Sequence, residues 1–107
     1  MDMSHEQILS KIKTVARTKI PTGSLAYLYG SRARGTSRVD SDWDILLVVD
    51  KPKIEQSDYD DLVYSLTSLG WEIDQMIIPV IYTKTEWHAQ RFTPFYKLVT
   101  NDAISLL

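Results

Sequence analysis

The sequence predicts an α/β domain in which a small mixed sheet packs with helices. Three observations lead there. Stretches with helical apolar spacing alternate with short extended runs along the chain. Gly or Pro bounds the extended runs. One run, residues 44–49 (DILLVV), is apolar almost throughout, as in strands covered on both faces.

The elements follow in order. Ser4 with Gln7 reads as a capping box opening a helix, whose apolar positions are Ile8, Leu9, Ile12, Val15, Ala16 and Ile20. Pro21 and Gly23 end it. Leu25–Tyr29 is a short apolar strand closed by Gly30. One or two helical turns fit between Ser31 and Gly35, before the 44–49 strand. After Pro52, Ser57 with Asp60 predicts a second helix cap, and Tyr59, Leu62, Val63, Leu66 and Leu69 form the stripe of a helix stopping at Gly70. Residues 71–82 read as extended, with Pro79 marking an edge strand or a break. Thr83 with Glu86 is a third capping box, and Pro94 suits the first position of a last helix. A short apolar tail, AISLL, follows. The pattern leaves the strand order open.

Residues 1–107 are expected to form a single domain, large enough to bury a core without staples. The chain has no cysteine, which excludes disulfides and thiolate metal sites. It has neither a signal-like apolar block at its start nor a run of membrane-spanning length, so a cytoplasmic protein with no membrane partner is expected. The net charge of −2 argues against a nucleic-acid surface.

Asp40, Asp42 and Asp44 stand together at the mouth of a buried strand. Carboxylates there repel one another and resist burial. Strand alternation puts Asp42 and Asp44 on one face, about 6.6–7 Å apart, with Trp43 turned the other way into the core. Such a pair can share a divalent cation, and all-oxygen ligands favour Mg²⁺ or Mn²⁺ over zinc. The cation converts repulsion into joint attraction. Upstream, Gly30 lets backbone amides approach a ligand, and a helical turn starting at Ser31 points free N–H groups outward, which makes a phosphate site. A phosphate cradle beside a dicarboxylate metal site calls for a metal-bound polyphosphate, most simply a nucleoside triphosphate. The reaction class is phosphoryl or nucleotidyl transfer.

Gly30-Ser31, ten intervening residues and Asp42-Trp43-Asp44-Ile45 resemble the signature of the polymerase-β-like nucleotidyltransferase superfamily. The stretch YGSRARGTSRVDSDWDILLVV most resembles the minimal nucleotidyltransferase (MNT) proteins, in length and element order as well. Four fixed positions match by chance on the order of 1 in 10⁵ per start, so the motif is specific. The resemblance implies a nucleotidyltransferase-like fold and Mg²⁺-dependent transfer of an NMP from an NTP to a hydroxyl acceptor. It implies that Gly30 and Ser31 bind the triphosphate, with Arg34 added from the SRARG context, and that Asp42 and Asp44 hold metal. It also implies a third catalytic carboxylate on the next strand, for which Asp74 is the candidate and Glu72 the reserve; residues 77–80, nearer the expected place, hold no acid. Minimal members often pair with an all-helical HEPN-type protein, in some cases as antitoxin to a ribonuclease. The alternative function is therefore a catalytically weak nucleotide-binding module that acts by holding such a partner; a metal-dependent phosphohydrolase is a third.

Other residues read more plainly. Asp40 is a turn charge, Arg32 and Arg38 belong to a solvated face, and His5 and His88 lie at the surface. The aromatics of WHAQRFTPFY form core or a partner patch.

Overall fold

The computed structural model describes residues 3–107. Met1 and Asp2, the start of the expected domain, lie outside the described residues. Helix α1 (His5–Lys19) opens with the predicted capping box: the Gln7 N–H donates to Ser4 Oγ at 3.1 Å and the Ser4 N–H to Gln7 Oε1 at 2.8 Å. Strand β1 (Leu25–Tyr29) leads through Gly30 into the single-turn helix α2 (Ser31–Arg34), and strand β2 spans Trp43–Val49. A π-helical stretch, Asp58–Val63, runs into helix α3 (Tyr64–Ile73). Strand β3 (Ile77–Thr83), helix α4 (Lys84–Ala89), helix α5 (Pro94–Asp102) and strand β4 (Ile104–Ser105) complete the chain. Thr83 with Glu86 and Thr93 with Pro94 start α4 and α5 as the sequence predicts.

The sheet is mixed, in the order β3-β2-β1-β4. β2 pairs antiparallel with β1 and parallel with β3, and β4 pairs antiparallel with β1. Pro79 therefore lies on an edge strand, where its missing N–H is tolerated. Paired residues point to one face. Leu28, Ile45, Leu47 and Ile77 face α1 and α3, where Ile8, Ile12, Ala16, Leu62 and Leu66 close the larger core. Tyr29, Leu46 and Val48 face the other way, against Val99, Trp87 and Phe95 from α5 and α4. β2 is buried along both faces, as its apolar run requires. No helix among the described residues is long and apolar enough to cross a membrane.

Three expectations need correction. Ser57 does not cap: its backbone is already helical and its side chain makes no capping bond. Asp58 instead reaches back from the first turn, accepting the Glu55 N–H at 2.7 Å and holding Lys51 Nζ at 3.0 Å; a buried carboxylate is stable only with such a partner. Residues 71–76 are not strand. Gly70 does not end the helix, because it serves close packing instead: a Cβ there would lie 2.5 Å from the Gln75 carbonyl oxygen. The helix runs on to Ile73, and Asp74 ends it in the left-handed conformation at φ 56°. The AISLL tail is no loose end, since β4 joins the sheet and Leu106 is fully buried.

Candidate nucleotide and metal site

β1 ends where β2 begins, so their antiparallel pairing sets Tyr29 opposite Asp44 and brings Gly30 against the aspartate. Gly30 has φ 77° and ψ −159°, a backbone reserved almost wholly for glycine. A Cβ on it would stand 2.5 Å from Asp44 Oδ2. The carboxylate thus fills the space a side chain would take, and the acid touches the turn. The Gly30 carbonyl accepts the N–H groups of Ala33 and Arg34, each at 3.1 Å, which winds α2 and leaves its first amides without helical acceptors. Ser31, half-buried, stands at that first position.

Asp44 is half-buried and Asp42 exposed. Burial pushes the Asp44 carboxyl above its ordinary range; the neighbouring Asp42 charge pushes the same way, and Arg34 opposes both. Arg34 stands at the rim. Its Nη1 donates to Asp102 Oδ2 at 2.6 Å, tying α2 to the end of α5. Asp42 and Asp44 together suit a hard divalent cation: they supply oxygen only, and their mutual repulsion is what a cation relieves.

Tyr29 lies beside Asp44, edge-on to Phe95 at 5.8 Å. Burial first, then the charge of Asp44, pushes its phenol from 10.0 up to about 12. The native state therefore keeps this proton where the unfolded chain loses it, and stability falls as pH rises from 10 to about 12. Tyr29→Phe is expected to flatten that alkaline loss, measured by urea unfolding at a series of pH values; an unchanged slope would refute it.

Asp74 is not brought to this pair. It sits at the end of α3, on the side of the sheet to which Trp43 points, next to Gln75, whose Oε1 accepts the Trp43 Nε1–H at 3.0 Å. Two clefts of about 490 and 720 Å³ open beside it; Asp40 lines both, and neither Asp42 nor Asp44 lines either. Glu72 is exposed on α3 rather than on a strand. The β3 residues that share a face with Asp44 are Ile78, opposite it, then Val80 and Tyr82 farther along, and none is an acid. Among the described residues, no three or more His, Asp or Glu side chains gather as a metal site, so the acid pair stands alone.

Sequence reasoning missed Arg32 and His5. Arg32 is buried, with its guanidinium 4.5 Å from the Trp43 ring centroid, and His5 packs on the same ring at 4.8 Å. The one available signal was Trp43 itself, a large flat ring near a guanidinium in sequence.

Residues 9–100 match the family model described as the nucleotidyltransferase domain. No curated protein matches the chain. Among solved structures, the chain is similar to a toxin-antitoxin with AMP-PNP: 22% identity, 92% of this chain and 72% of that one covered, TM-score 0.63. It is also similar to the tri-AMPylated Shewanella oneidensis HEPN toxin in complex with MNT antitoxin, at 19% identity, 97% and 72% coverage and a TM-score of 0.63. A toxin-antitoxin MntA-HpeT mutant gives 19% identity, 92% and 71% coverage and a TM-score of 0.60. At these identities the likeness is one of fold.

Proposed function

We propose that this chain, which belongs to the nucleotidyltransferase domain family, is an MNT-type enzyme that moves an NMP from an NTP to a hydroxyl on a helical HEPN-type partner. Supporting this reading are the similar structures, which include a complex with AMP-PNP and one with an AMPylated HEPN toxin. The observation that carries it is the contact of the Asp44 carboxylate with Gly30, which joins an acid pair to a phosphate turn.

In this reading, the Gly30-Ser31 turn and the first amides of α2 hold the triphosphate, and Arg34 adds charge from the rim. Asp42 and Asp44 would hold Mg²⁺ or Mn²⁺ through their carboxylate oxygens. A divalent ion held by Asp42 and Asp44 would neutralise triphosphate charge and ease release of the acceptor's proton to solvent. The acceptor oxygen bonds to the α-phosphorus, the α–β phosphoanhydride bond breaks, and pyrophosphate leaves. No third carboxylate is assigned, because Ile78 and Val80 face the pair on β3.

The test is transfer of label from α-labelled ATP, with Mg²⁺, to a co-purified HEPN-type partner. Wild type is expected to label it and Asp42→Ala is not. Equal labelling by both, or none by wild type, overturns the proposal. The apolar row on β3 supports a second reading, a nucleotide-binding module that acts by holding its partner. It predicts no label, with partner recovered equally by Asp42→Ala.

A further inference from the structure

Arg32 poses a question that the proposed reaction leaves open. It is a buried cation that donates to uncharged groups: carbonyls and a hydroxyl. Its Nε donates to the Ser41 carbonyl at 3.2 Å, its Nη2 to the carbonyls of Ser41 at 3.0 Å and Val39 at 3.2 Å, and its Nη1 to Ser37 Oγ at 3.4 Å. Burial pulls its pKa down, and Asp40 only partly opposes this. Burying a charge without an ion pair is costly, and an apolar side chain of like size closes a loop more cheaply. What the guanidinium does that an apolar group cannot is gather carbonyls in a fixed fork.

The carbonyls it gathers are those leading into Asp42. The Ser41 carbonyl and the Asp42 N–H belong to one planar peptide unit. Arg32 holds that unit with two hydrogen bonds. The next unit joins the Asp42 carbonyl to the Trp43 N–H, which donates to the Met76 carbonyl at 2.8 Å. Exposed Asp42 therefore hangs between two pinned peptide planes, one held by Arg32 and the other by the chain entering β3. Ser41 adds a local brace, with its Oγ accepting the Arg38 N–H at 2.7 Å. Trp43, on which the guanidinium lies, is fixed in turn by Gln75. Arg32 also directly follows Ser31, so one residue links the phosphate turn to the acid-bearing loop.

We propose that Arg32 is a positioning residue: it pins the peptide before Asp42, so that this acid stands in register with Asp44 and with the turn at Ser31. The inference rests on the nucleotidyltransferase reading above. It assigns Arg32 no contact with nucleotide. Its effect reaches the ligand through the placement of Asp42, so it belongs to metal affinity more than to nucleotide affinity.

The test is Mn²⁺ binding in the presence of AMP-PNP, followed by the free-ion paramagnetic resonance signal, with thermal melts of the same samples. In Arg32→Lys, one ammonium replaces the fork. The Mn²⁺ concentration for half-saturation is expected to rise about tenfold or more, as for other groups that orient metal ligands. Affinity for AMP-PNP at saturating Mn²⁺ is expected to change by about twofold or less. Arg32→Met guards against misfolding. It keeps an apolar stem on Trp43, and it is expected to melt no lower than wild type while binding Mn²⁺ as poorly as Arg32→Lys. A purely structural role does not give intact stability with weakened metal binding. In an Asp42→Asn background, Arg32→Lys is expected to add nothing. Unmoved half-saturation in both variants, or an equal further loss in the Asp42→Asn background, overturns the inference while leaving the transfer reading intact. Failure of wild type itself to take up Mn²⁺ with AMP-PNP overturns both.

Discussion

Asp44→Asn is expected to lower nucleotidyl transfer by about 10³-fold or more: under the proposed role of Asp44 as metal ligand, the several kcal/mol that a bound cation would supply, at about 1.4 kcal/mol per decade, are lost. The amide keeps the shape of the carboxylate against Gly30, so the fold stays. Stability should move the other way. The Asp44 carboxyl is raised by burial and by Asp42, so the native state binds its proton more tightly than the unfolded chain does. The ionised group therefore costs stability, and this cost grows as pH rises from its ordinary 3.8 through the raised value. Asn carries no such cost. Metal-free melts should show the variant gaining on wild type across that window and staying ahead at neutral pH, while single-turnover transfer collapses. A variant that loses stability along with activity would mean that Asp44 is a structural acid.

Gly30→Ala should damage stability and site together. A non-glycine residue at φ 77° and ψ −159° is strained by about 1–3 kcal/mol. The added methyl, 2.5 Å from Asp44 Oδ2, also drives the carboxylate out of its place. Transfer is expected to fall by about 10²-fold beyond what the stability loss explains, since small misplacements of reacting groups cost about that much. Gly35→Ala is the control. It shares the φ of 77°, but its ψ of 18° is the milder left-handed region and nothing lies within 4 Å of the new Cβ, so it should pay a smaller backbone strain and keep its activity. Equal activity losses at the two glycines, measured on folded protein, would show that contact with Asp44 does not matter.

The residues at this site differ in how openly the sequence displayed them. The placement of Gly30, Ser31, Asp42 and Asp44 was legible because their neighbours in the chain define their setting: a strand ends, a turn follows and another strand starts. Capping boxes at Ser4 and Thr83 were legible for the same reason, since both partners lie within three residues. Asp74 was misread because Gly70 has two uses that look alike in sequence. It stands where a helix can stop, yet it is there to let the chain at Gln75 approach the helix. Ser57 makes no cap because the helix has already begun; the Glu55 N–H is met by Asp58, which is buried against Lys51 seven residues away. Arg32 depends on the path of an irregular loop that carries Val39 and Ser41 back to it, and the Arg34–Asp102 pair spans 68 residues; helical or strand periodicity reports neither. Sheet order was hidden too, because β4 is only two residues long and carries no period to read.

Pro79 bears on how the molecule behaves in company. β3 is a seven-residue outer strand, and such a strand invites another chain to lie alongside and extend the ladder. An imide nitrogen in its middle interrupts the run of donors, while the opposite margin is closed by a strand too short to serve as a template. Both open sides of the sheet are thereby blunted against fibrous stacking, which leaves a protein partner to be recognised through side chains rather than by strand addition.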